Sequence, residues 1–343
     1  MKIRVLIKEG EYRLSKAGVM DARVDSEALY CFLTGCDRVV LFLNKEQEAD
    51  VETEEKYFKL IETRAARVPL QHITGTQEFM GFEFKVSPDV LIPRQDTEVL
   101  VTEAARTLID ERKSAAHAKA KKRGGLFKLF GTPPEYDVLD LCCGSGAIGI
   151  SLAKICEDIF VTASDVSRKA LALAAENARK NRTDVEFVCG DLFEAITSGD
   201  QMDPKVDPAA AADATGASAS GNSGRPLWPA KLQGKGARVR TFDMIVSNPP
   251  YIKTSSIAVL QDEVKIHEPM LALDGGEDGL DYYRKIVAEA YKYLKKDGWL
   301  FLEIGHDQGE DLRKMIMEAG HYSEPEIIHD LAGRDRVVKC RKE

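Results

Sequence analysis

From Tyr136 onwards, short apolar runs alternate with helix-like segments, and this alternation restricts the fold more than any other feature of the sequence. The runs are rich in aliphatic and β-branched residues, as is typical of strands buried on both faces of a sheet. They are Val138 to Leu141, Ile159 to Ser164, Val185 to Val188, Phe242 to Ser247, Trp299 to Ile304, Glu326 to His329 and Arg336 to Cys340. This order of elements predicts an α/β fold with a mostly parallel, doubly wound sheet.

The first 75 residues lack this alternation and predict a small helical domain. In the segment from Val51 to Ala66, apolar residues such as Tyr57 and Ile61 fall on one helical face, with charged residues between them. This spacing is typical of a helix that packs in a bundle, and packing explains it better than a binding site does.

A β-hairpin is predicted next. Phe82, Phe84 and Val86 alternate with charged residues, and the turn-forming triplet Ser87-Pro88-Asp89 precedes the apolar run from Val90 to Ile92. Alternation on both sides of such a triplet predicts a hairpin whose turn lies at Ser87 to Asp89.

A helix is expected after the hairpin, with Asp96 or Thr97 as its N-cap and an end near Arg112. Residues 113–134 are basic and could contact RNA or an acidic surface, but a solvated extension of the helix is favoured. Residues from about 197 to 240 are rich in Pro, Ala, Gly and Ser and predict a disordered insertion.

The composition excludes several classes of protein. A formal net charge of −8 argues against a phosphate backbone as the main partner, so no direct DNA partner is expected. No apolar run approaches the roughly 18 residues of a membrane span, and the first residues match no secretory or transit signal. Seven cysteines without a CxxC pair indicate reduced thiols. A cytoplasmic protein with no membrane partner is therefore expected.

A glycine-containing loop follows the first strand of the predicted sheet. Within it, Gly144, Gly146 and Gly149 match the pattern G-x-G-x-x-G. Small residues let the backbone approach a ligand, and the N-terminus of the next helix directs N–H groups at it. Asp165, at the end of the second strand, is placed to accept hydrogen bonds from ribose hydroxyls. These features fit a nicotinamide dinucleotide or S-adenosylmethionine, so the loop alone leaves both open.

The fourth strand leads into Asn248-Pro249-Pro250-Tyr251, the second candidate site. The prolines lack N–H groups, so the backbone offers only carbonyl acceptors, while Asn248 adds an amide and Tyr251 an aromatic face. Such acceptors suit a planar group that carries an NH2, either a carboxamide or the amine of adenine or cytosine. A plain strand-ending turn is the alternative. Because the motif contributes nothing to hydride transfer, a methyl donor is favoured over a nicotinamide.

Further segments complete a family pattern. They are Gln71 to Gly75, Phe79 to Val86, Ser87 to Glu98, Leu273 to Leu280 and Gly333 to Val338. With them, the chain resembles the release-factor glutamine methyltransferases (the PrmC/HemK family) over nearly its whole length apart from the two insertions. Asn-Pro-Pro-Tyr alone is shared with DNA adenine methyltransferases, whereas the segment around Ile92-Pro93-Arg94 is more specific to this family.

The resemblance implies an enzyme of translation termination that uses S-adenosylmethionine. Its expected activity is methylation of the side-chain amide nitrogen (N5) of the glutamine in the Gly-Gly-Gln loop of class I peptide-chain release factors. The expected domains are a helical substrate-docking domain (1–75), a hairpin with a linker helix (76–112), a basic insertion (113–134) and a Rossmann-like methyltransferase domain (135–343).

The resemblance also implies the site residues. The cofactor is expected to contact Asp140, Cys142, Cys143, Gly144, Ser145, Gly146, Asp165, Asp191, Leu192 and Asn248. The glutamine is expected to contact Pro93, Arg94, Asn248, Pro249, Pro250 and Tyr251. The catalytic roles are expected to fall to three of these: the Asn248 side-chain oxygen and the Pro249 carbonyl accept the two amide N–H groups, and Tyr251 packs on the amide plane. No metal is expected.

The chain departs from the family pattern at Cys142-Cys143, where Gly-Thr is usual. Cys142 lacks the freedom of glycine at positive φ, and both cysteines are expected to be structural because burial beside apolar residues makes a thiol inert. Two other functions remain open. One is methylation of an amino group in DNA or RNA, such as adenine N6, which requires base flipping. The other is a non-catalytic binding module.

Overall fold

The computed structural model describes residues 1–122, 136–198, 200–201 and 240–343. Its first half consists of helices, a small hairpin and a linker helix. The helices are α1 (Ile3–Lys16), α2 (Ala22–Thr34), α3 (Arg38–Asn44), α4 (Val51–Ala65) and α5 (Leu70–Thr74). The hairpin strands are β1 (Thr76–Phe79) and β2 (Phe82–Lys85), followed by a 3-10 helix (Gln95–Thr97) and α6 (Glu98–Lys122).

The second half alternates strands with helices. Its strands are β3 (Tyr136–Leu141), β4 (Ile159–Asp165), β5 (Val185–Cys189), β6 (Asp200–Gln201), β7 (Phe242–Ser247), β8 (Leu294–Glu303), β9 (Glu326–His329) and β10 (Asp335–Arg341). Its helices are α7 (Ala147–Ile155), α8 (Arg168–Asn181), α9 (Glu194–Ser198), α10 (Thr254–Ile257), α11 (Asp262–His267), α12 (Asp281–Tyr293) and α13 (Gly309–Ala319), with a second 3-10 helix at Met270–Ala272.

Eight strands of the described residues form one sheet in the order β6-β5-β4-β3-β7-β8-β10-β9. The five strands from β5 to β8 run parallel, whereas β6, β10 and β9 pair antiparallel with their neighbours. The predicted α/β fold with a mostly parallel, doubly wound sheet is confirmed. Leu141 pairs with Ser164 on one side and with Ser247 on the other, so three strands end together. Ligands bind at such a point, where the strand order reverses direction.

Adjacent residues of the central strands belong to two separate hydrophobic cores, one on each face of the sheet. Val138 and Met244 pack with residues of α6, α7 and α8, while Leu139 and Ile245 pack with residues of α12 and α13. All four side chains are fully buried. Side chains alternate between the faces of a strand, and burying each contributes about 1.5–3 kcal/mol. The two cores therefore hold the sheet rigidly and with it the ends of its strands.

The helical domain packs around Tyr57, which is fully buried as predicted from its position in α4. The Tyr57 hydroxyl lies 2.6 Å from Oγ of Ser26, which in turn donates to the backbone oxygen of Ile7. A Cβ at Gly10 would lie 2.1 Å from this hydroxyl, so the close approach of α1 requires glycine there. The prediction of a packed helical bundle over the first 75 residues agrees with α1 to α5.

The hairpin is present, but the turn predicted at Ser87 to Asp89 is wrong. β1 and β2 are joined by Met80-Gly81, whose φ angles are 53° and 75°. A two-residue hairpin turn with positive φ at both central positions matches the twist of the strands, and glycine provides it without strain. Val90 and Ile92 are buried without forming a strand. The overlooked signal was the Met-Gly pair between Phe79 and Phe82.

The helix expected to end near Arg112 continues to Lys122, so the first part of the basic segment extends α6. Helix α6 begins at Glu98, directly after Thr97, one of the two expected N-caps. In the region predicted as disordered from about residue 197, α9 ends at Ser198 and β6 covers residues 200–201. The rest of both predicted insertions lies outside the described residues. None of the described helices is long and apolar enough to cross a membrane.

Candidate active site

A cleft of about 220 Å³ opens at the carboxyl ends of β3, β4, β5 and β7. Eleven of the predicted site residues line it: Pro93, Arg94, Cys142, Cys143, Gly144, Ser145, Asp165, Asp191, Leu192, Asn248 and Pro250. Four predicted residues do not line it, namely Asp140, Gly146, Pro249 and Tyr251. The structure therefore brings the glycine loop, the Asn-Pro-Pro-Tyr motif and the Pro93-Arg94 segment to one place.

The glycine loop reaches the cleft through a series of left-handed backbone conformations. Cys142, Gly144 and Gly146 have φ angles of 59°, 53° and 77°. Open space surrounds the position that a Cβ of Gly144 would take, so this stretch of backbone is exposed to a ligand. A Cβ at Gly146 would instead lie 2.8 Å from Ile150, so this glycine lets α7 begin tightly and does not itself line the cleft. Cys142 occupies a conformation that favours glycine.

Asp140 supports the loop from beneath and does not line the cleft. The carboxyl group is fully buried, and its Oδ2 accepts the Gly149 N–H at 2.8 Å. A Cβ at Gly149 would lie 2.9 Å from this oxygen, so glycine is needed for the contact. Burial raises the pKa of Asp140 to about 7. Asp140 therefore braces the loop through its contact with α7, and its expected contact with the cofactor stays a prediction.

Asp165 is held at the cleft by two backbone hydrogen bonds. Its Oδ2 accepts the Gly144 N–H at 2.9 Å, and its Oδ1 accepts the Ser167 N–H at 2.8 Å. Burial raises the pKa of this carboxyl group, although both hydrogen bonds oppose the shift. Each carboxylate oxygen has a second lone pair, so Asp165 can still accept from a ligand hydroxyl.

The cysteines of the loop carry protonated thiols. Burial raises the pKa of Cys142 and of Cys143 well above the ordinary value. The thiolate is the reactive form of cysteine, so these thiols are inert at neutral pH. Their surroundings agree with the structural role expected for both residues.

Asn248 directly follows β7, and its side-chain amide contacts Thr97. Its Nδ2 donates to Oγ1 of Thr97 at 3.3 Å. Thr97 also lines the cleft and is buried, with 4% of its surface exposed. The oxygen of the same side-chain amide, Oδ1, is left to accept a hydrogen bond from a ligand. The sequence marked Thr97 only as a helix N-cap, and no local signal indicates its contact with a residue 151 positions away.

The Tyr251 side chain reaches a buried acceptor. The Tyr251 hydroxyl donates to Oε1 of the buried Glu303 at 3.5 Å, and the ring packs against the core formed with α12 and α13. Burial raises the pKa of this hydroxyl well above its ordinary value. Tyr251 does not line the cleft, and its expected packing on a substrate amide stays a prediction.

The segment after Tyr251 is tied to the predicted motif Leu273 to Leu280. The Ile252 N–H donates to the Leu273 carbonyl at 3.0 Å, and the Gly275 N–H donates to the Ile252 carbonyl at 2.8 Å. A Cβ at Gly275 would lie 2.7 Å from the Tyr251 Cα. The contacts require glycine at position 275 and fix the backbone at the end of Asn-Pro-Pro-Tyr. The segment Leu273 to Leu280 therefore braces that motif.

A buried carboxyl group holds Arg94 at the cleft. The Arg94 guanidinium forms an ion pair with Glu268, whose side chain is 1% exposed. Burial raises the pKa of Glu268, while Arg94 opposes this shift. The adjacent residues Pro269, Leu271 and Ala272 line the cleft as well. This segment is not among the predicted site residues, because nothing in its local pattern indicates a contact with Arg94.

The helical domain is fastened to the segment that follows the site. Arg64 of α4 donates to Asp25 Oδ2 at 2.7 Å and to Glu263 Oε1 of α11 at 3.1 Å. Arg67 forms a second ion pair with Glu263. Both arginines are mostly buried, so water screens these charges little. The domain therefore has a fixed position relative to the cleft.

Comparison with known families agrees with this arrangement. A family model described as the PrmC N-terminal domain matches residues 6–75, and one described as the methyltransferase small domain matches residues 126–203. The second match contains the glycine loop and Asp165. The fold and the cleft therefore define a methyltransferase.

The similarity to individual proteins extends over the whole chain. A release factor glutamine methyltransferase of Geobacter sulfurreducens is 38% identical over 328 residues, which cover 96% of this chain and 92% of that protein. The enzyme of Moorella thermoacetica is 35% identical, and the match covers 98% of this chain and 97% of that protein. The enzyme of Clostridium botulinum is 31% identical, and the match covers 100% of both chains. The chain belongs to the release factor glutamine methyltransferase family. The predicted family is confirmed, and S-adenosylmethionine is the cofactor of this class of methyltransferase.

Proposed function

We propose that the chain transfers a methyl group from S-adenosylmethionine to the side-chain amide nitrogen of the glutamine in the Gly-Gly-Gln loop of peptide-chain release factors. The observation that carries this proposal is the position of Asn248. Its amide nitrogen is engaged by Thr97, which leaves its oxygen as an acceptor in the same cleft as the glycine loop. An acceptor there suits an incoming amide NH2.

The glycine-loop end of the cleft fits the cofactor. Open space beside Gly144 permits close approach to the backbone, and Asp165 offers free lone pairs to ribose hydroxyls. Val166 and Leu192 provide apolar surface for a planar base, and Asp191 adds a second carboxyl group. When bound, S-adenosylmethionine supplies a methyl group that its sulfonium already activates. Contacts of the cofactor with the other lining residues of the loop, Cys142, Cys143 and Ser145, are part of the same proposal.

The task of the chain is to prepare a weak nucleophile, since resonance ties up the lone pair of an amide nitrogen. The Asn248 side-chain oxygen accepts one N–H of the glutamine amide. The backbone carbonyl of Pro249, which does not itself line the cleft but lies between the lining residues Asn248 and Pro250, is the candidate acceptor for the other. Pro250, Pro93 and Arg94 line the cleft and confine the side chain. Holding the reacting atoms in line contributes about 7–11 kcal/mol in well-oriented systems.

Selection of the release factor requires a second contact, because any exposed glutamine could enter so small a site. The helical domain, residues 1–75, is the proposed docking domain, joined by the hairpin and α6 to the methyltransferase domain. The ion pairs of Glu263 with Arg64 and Arg67 support this, because they fix the domain beside the cleft. Docking at two points raises the effective concentration of the loop at the site.

Methyl transfer from labelled S-adenosylmethionine tests the proposal. The purified full chain is incubated with an intact release factor, with the same factor carrying alanine in place of the Gly-Gly-Gln glutamine, and with adenine-containing DNA. Label is expected in the unaltered factor alone. Equal labelling of the alanine-substituted factor, or transfer to DNA in preference to the factor, would overturn the proposal.

A further inference from the structure

Asn177 of α8 connects the glycine loop with the hairpin through three hydrogen bonds. Its Nδ2 donates to the backbone oxygens of Ser145 and Lys85, each at 3.0 Å, and its Oδ1 accepts the Lys85 N–H at 2.7 Å. Asn177 is fully buried and does not line the cleft. It is not among the predicted site residues, although it contacts a residue that lines the cleft.

A carboxamide is the side chain that these three backbone groups require. The Lys85 N–H needs an acceptor, and the two carbonyl oxygens each need a donor. The amide of asparagine has one oxygen and two N–H groups, so it can satisfy all three, whereas an aspartate carboxylate can only accept. Because a buried backbone group without a partner is unfavourable, these contacts favour asparagine at this position.

The contact with Ser145 fixes one peptide plane of the glycine loop. The plane between Ser145 and Gly146 is held at both ends, because the Gly146 N–H donates to the Cys143 oxygen at 2.8 Å. A Cβ at Gly146 would lie 3.1 Å from the Cβ of Ala174, which stands three residues before Asn177 on the same face of α8. Ser145 and Cys143 both line the cleft. The orientation of the loop at the cleft therefore depends on Asn177.

The contact with Lys85 holds the outer edge of β2. In the register of this two-residue hairpin, the backbone N–H and C=O groups of Glu83 and Lys85 point away from β1. Residues two apart on a strand are separated by about 7 Å, and residues four apart on a helix by about 6 Å. Asn181, four residues after Asn177, accordingly donates to the Glu83 oxygen at 3.1 Å. Among the hydrogen bonds of the described residues, Asn177 reaches the glycine loop and Asn181 does not.

We propose that Asn177 is a positioning residue for the cofactor, which holds the glycine loop and the edge of β2 at a fixed distance through one side chain. A bound cofactor that orders the loop then also orders β2. The hairpin continues into the segment with Pro93 and Arg94, which line the cleft. This inference rests on the proposed function, because it connects the cofactor part of the cleft with the segment proposed to confine the substrate.

Matched substitutions at the two asparagines test the inference in the full chain. Asn177→Asp keeps the size and the acceptor of the side chain but removes both donors, and Asn181→Asp makes the same change on the same helix without the contact to Ser145. Asn177→Asp should raise the Kd of S-adenosylmethionine, measured by calorimetry, about tenfold, which corresponds to one lost hydrogen bond. Asn181→Asp should leave this Kd within about twofold. Equal Kd values in the two variants would overturn the inference.

Hydrogen exchange of the unaltered chain gives a second measurement, which does not depend on the folding of Asn177→Asp. Saturating S-adenosylhomocysteine, the product form of the cofactor, should slow exchange of the Lys85 amide about threefold or more, because ordering of the loop stabilises the hydrogen-bonded unit. The adjacent Val86 amide donates to the Gly75 oxygen at 3.1 Å, outside this unit, and should respond less. A merely structural bridge would give no response at Lys85.

Equal slowing at Lys85 and Val86, or slowing at neither, would overturn the inference. Both measurements use the cofactor or its product without a release factor. Their failure is therefore distinct from failure of the proposed function, in which the unaltered chain would not methylate the release factor.

Discussion

The Nη2 atom of Arg64 lies 3.1 Å from Oε1 of Glu263, and this ion pair joins two residues that are 199 positions apart in the chain. It connects α4 of the helical domain with α11, which follows the Asn-Pro-Pro-Tyr motif. The side chains of Arg64 and Glu263 are only 8% and 13% exposed. Their contact ties the orientation of the proposed docking domain to the position of the proposed catalytic residues.

Glu263→Ala should therefore loosen the helical domain. Removing one partner of a buried ion pair typically costs about 3–5 kcal/mol, because the other charge is left unpaired. Methylation of an intact release factor should fall much more than methylation of a Gly-Gly-Gln peptide, as followed by label transfer. Glu46→Ala, which removes an exposed ion pair of the same domain, serves as the control. Equal losses on both substrates would contradict the docking role.

Asn248→Ala should abolish most methyl transfer and leave the cofactor Kd within a few-fold of its original value. The interaction of the Asn248 oxygen with the substrate amide is needed mainly in the transition state, so its loss lowers kcat more than binding. Calorimetry and single-turnover kinetics on one preparation give both quantities. A comparable loss of cofactor affinity would place Asn248 in the cofactor pocket instead.

Cys142→Gly should stabilise the protein relative to Cys142→Ala. Both variants lack the thiol, but only glycine adopts the φ of 59° found here without strain. A left-handed conformation costs a residue with a Cβ about 1–2 kcal/mol, partly offset by the greater freedom of glycine in the unfolded chain. Urea unfolding should give a difference of about 1 kcal/mol in favour of glycine. No difference between the variants would show that the loop relaxes around the Cβ.

Asp140→Asn should have a higher free energy of unfolding than the wild type, and the difference should grow as pH rises. The folded-state pKa of Asp140 is raised to about 7, whereas an unfolded aspartate titrates near 3.9. Between these values the folded state holds a proton that the unfolded state has lost, so the wild type loses stability as pH rises. Asparagine removes this dependence and can still accept the Gly149 N–H. Urea unfolding from pH 4 to pH 8 measures the difference between the variants.

Asp330→Asn is a control for these urea-unfolding measurements, because its effect on stability should depend on pH in the opposite direction. Hydrogen bonding from the Arg334 backbone lowers the pKa of Asp330, so its contribution to stability is present above the unfolded pKa and disappears as pH falls. The control should therefore be less stable than the wild type near neutral pH and equal to it in acid. An Asp140→Asn difference that does not grow with pH would contradict the raised pKa of the buried carboxyl group.

Most of the fold could be predicted because it depends on local patterns. Successive buried residues such as Val138 and Leu139 indicate a strand that is covered on both faces, and the glycine loop marks the strand end that faces a ligand. The hairpin turn was misplaced because Ser87-Pro88-Asp89 is a stronger composition signal than Met80-Gly81, although the positive φ angles occur at the latter.

The site could be predicted only in part, because several of its contacts join distant positions. Sequence motifs identified Asn248 and Arg94, yet their partners Thr97 and Glu268 lie 151 and 174 positions away. The sequence likewise does not indicate that the Tyr251 hydroxyl meets Glu303, an acceptor on another strand. Residue type indicates what a side chain can bind, whereas tertiary packing decides which partner it meets.

The most direct test of the central claim is the location of the transferred methyl group. After incubation of the full chain with S-adenosylmethionine and an intact release factor, fragment-ion mass spectrometry of the Gly-Gly-Gln peptide assigns the added mass to one residue. The account predicts a single methyl group on the side-chain nitrogen of the glutamine, absent when Asn248→Ala replaces the unaltered enzyme. A methyl group on another residue, or an unmodified glutamine in a factor that carries label, would contradict it.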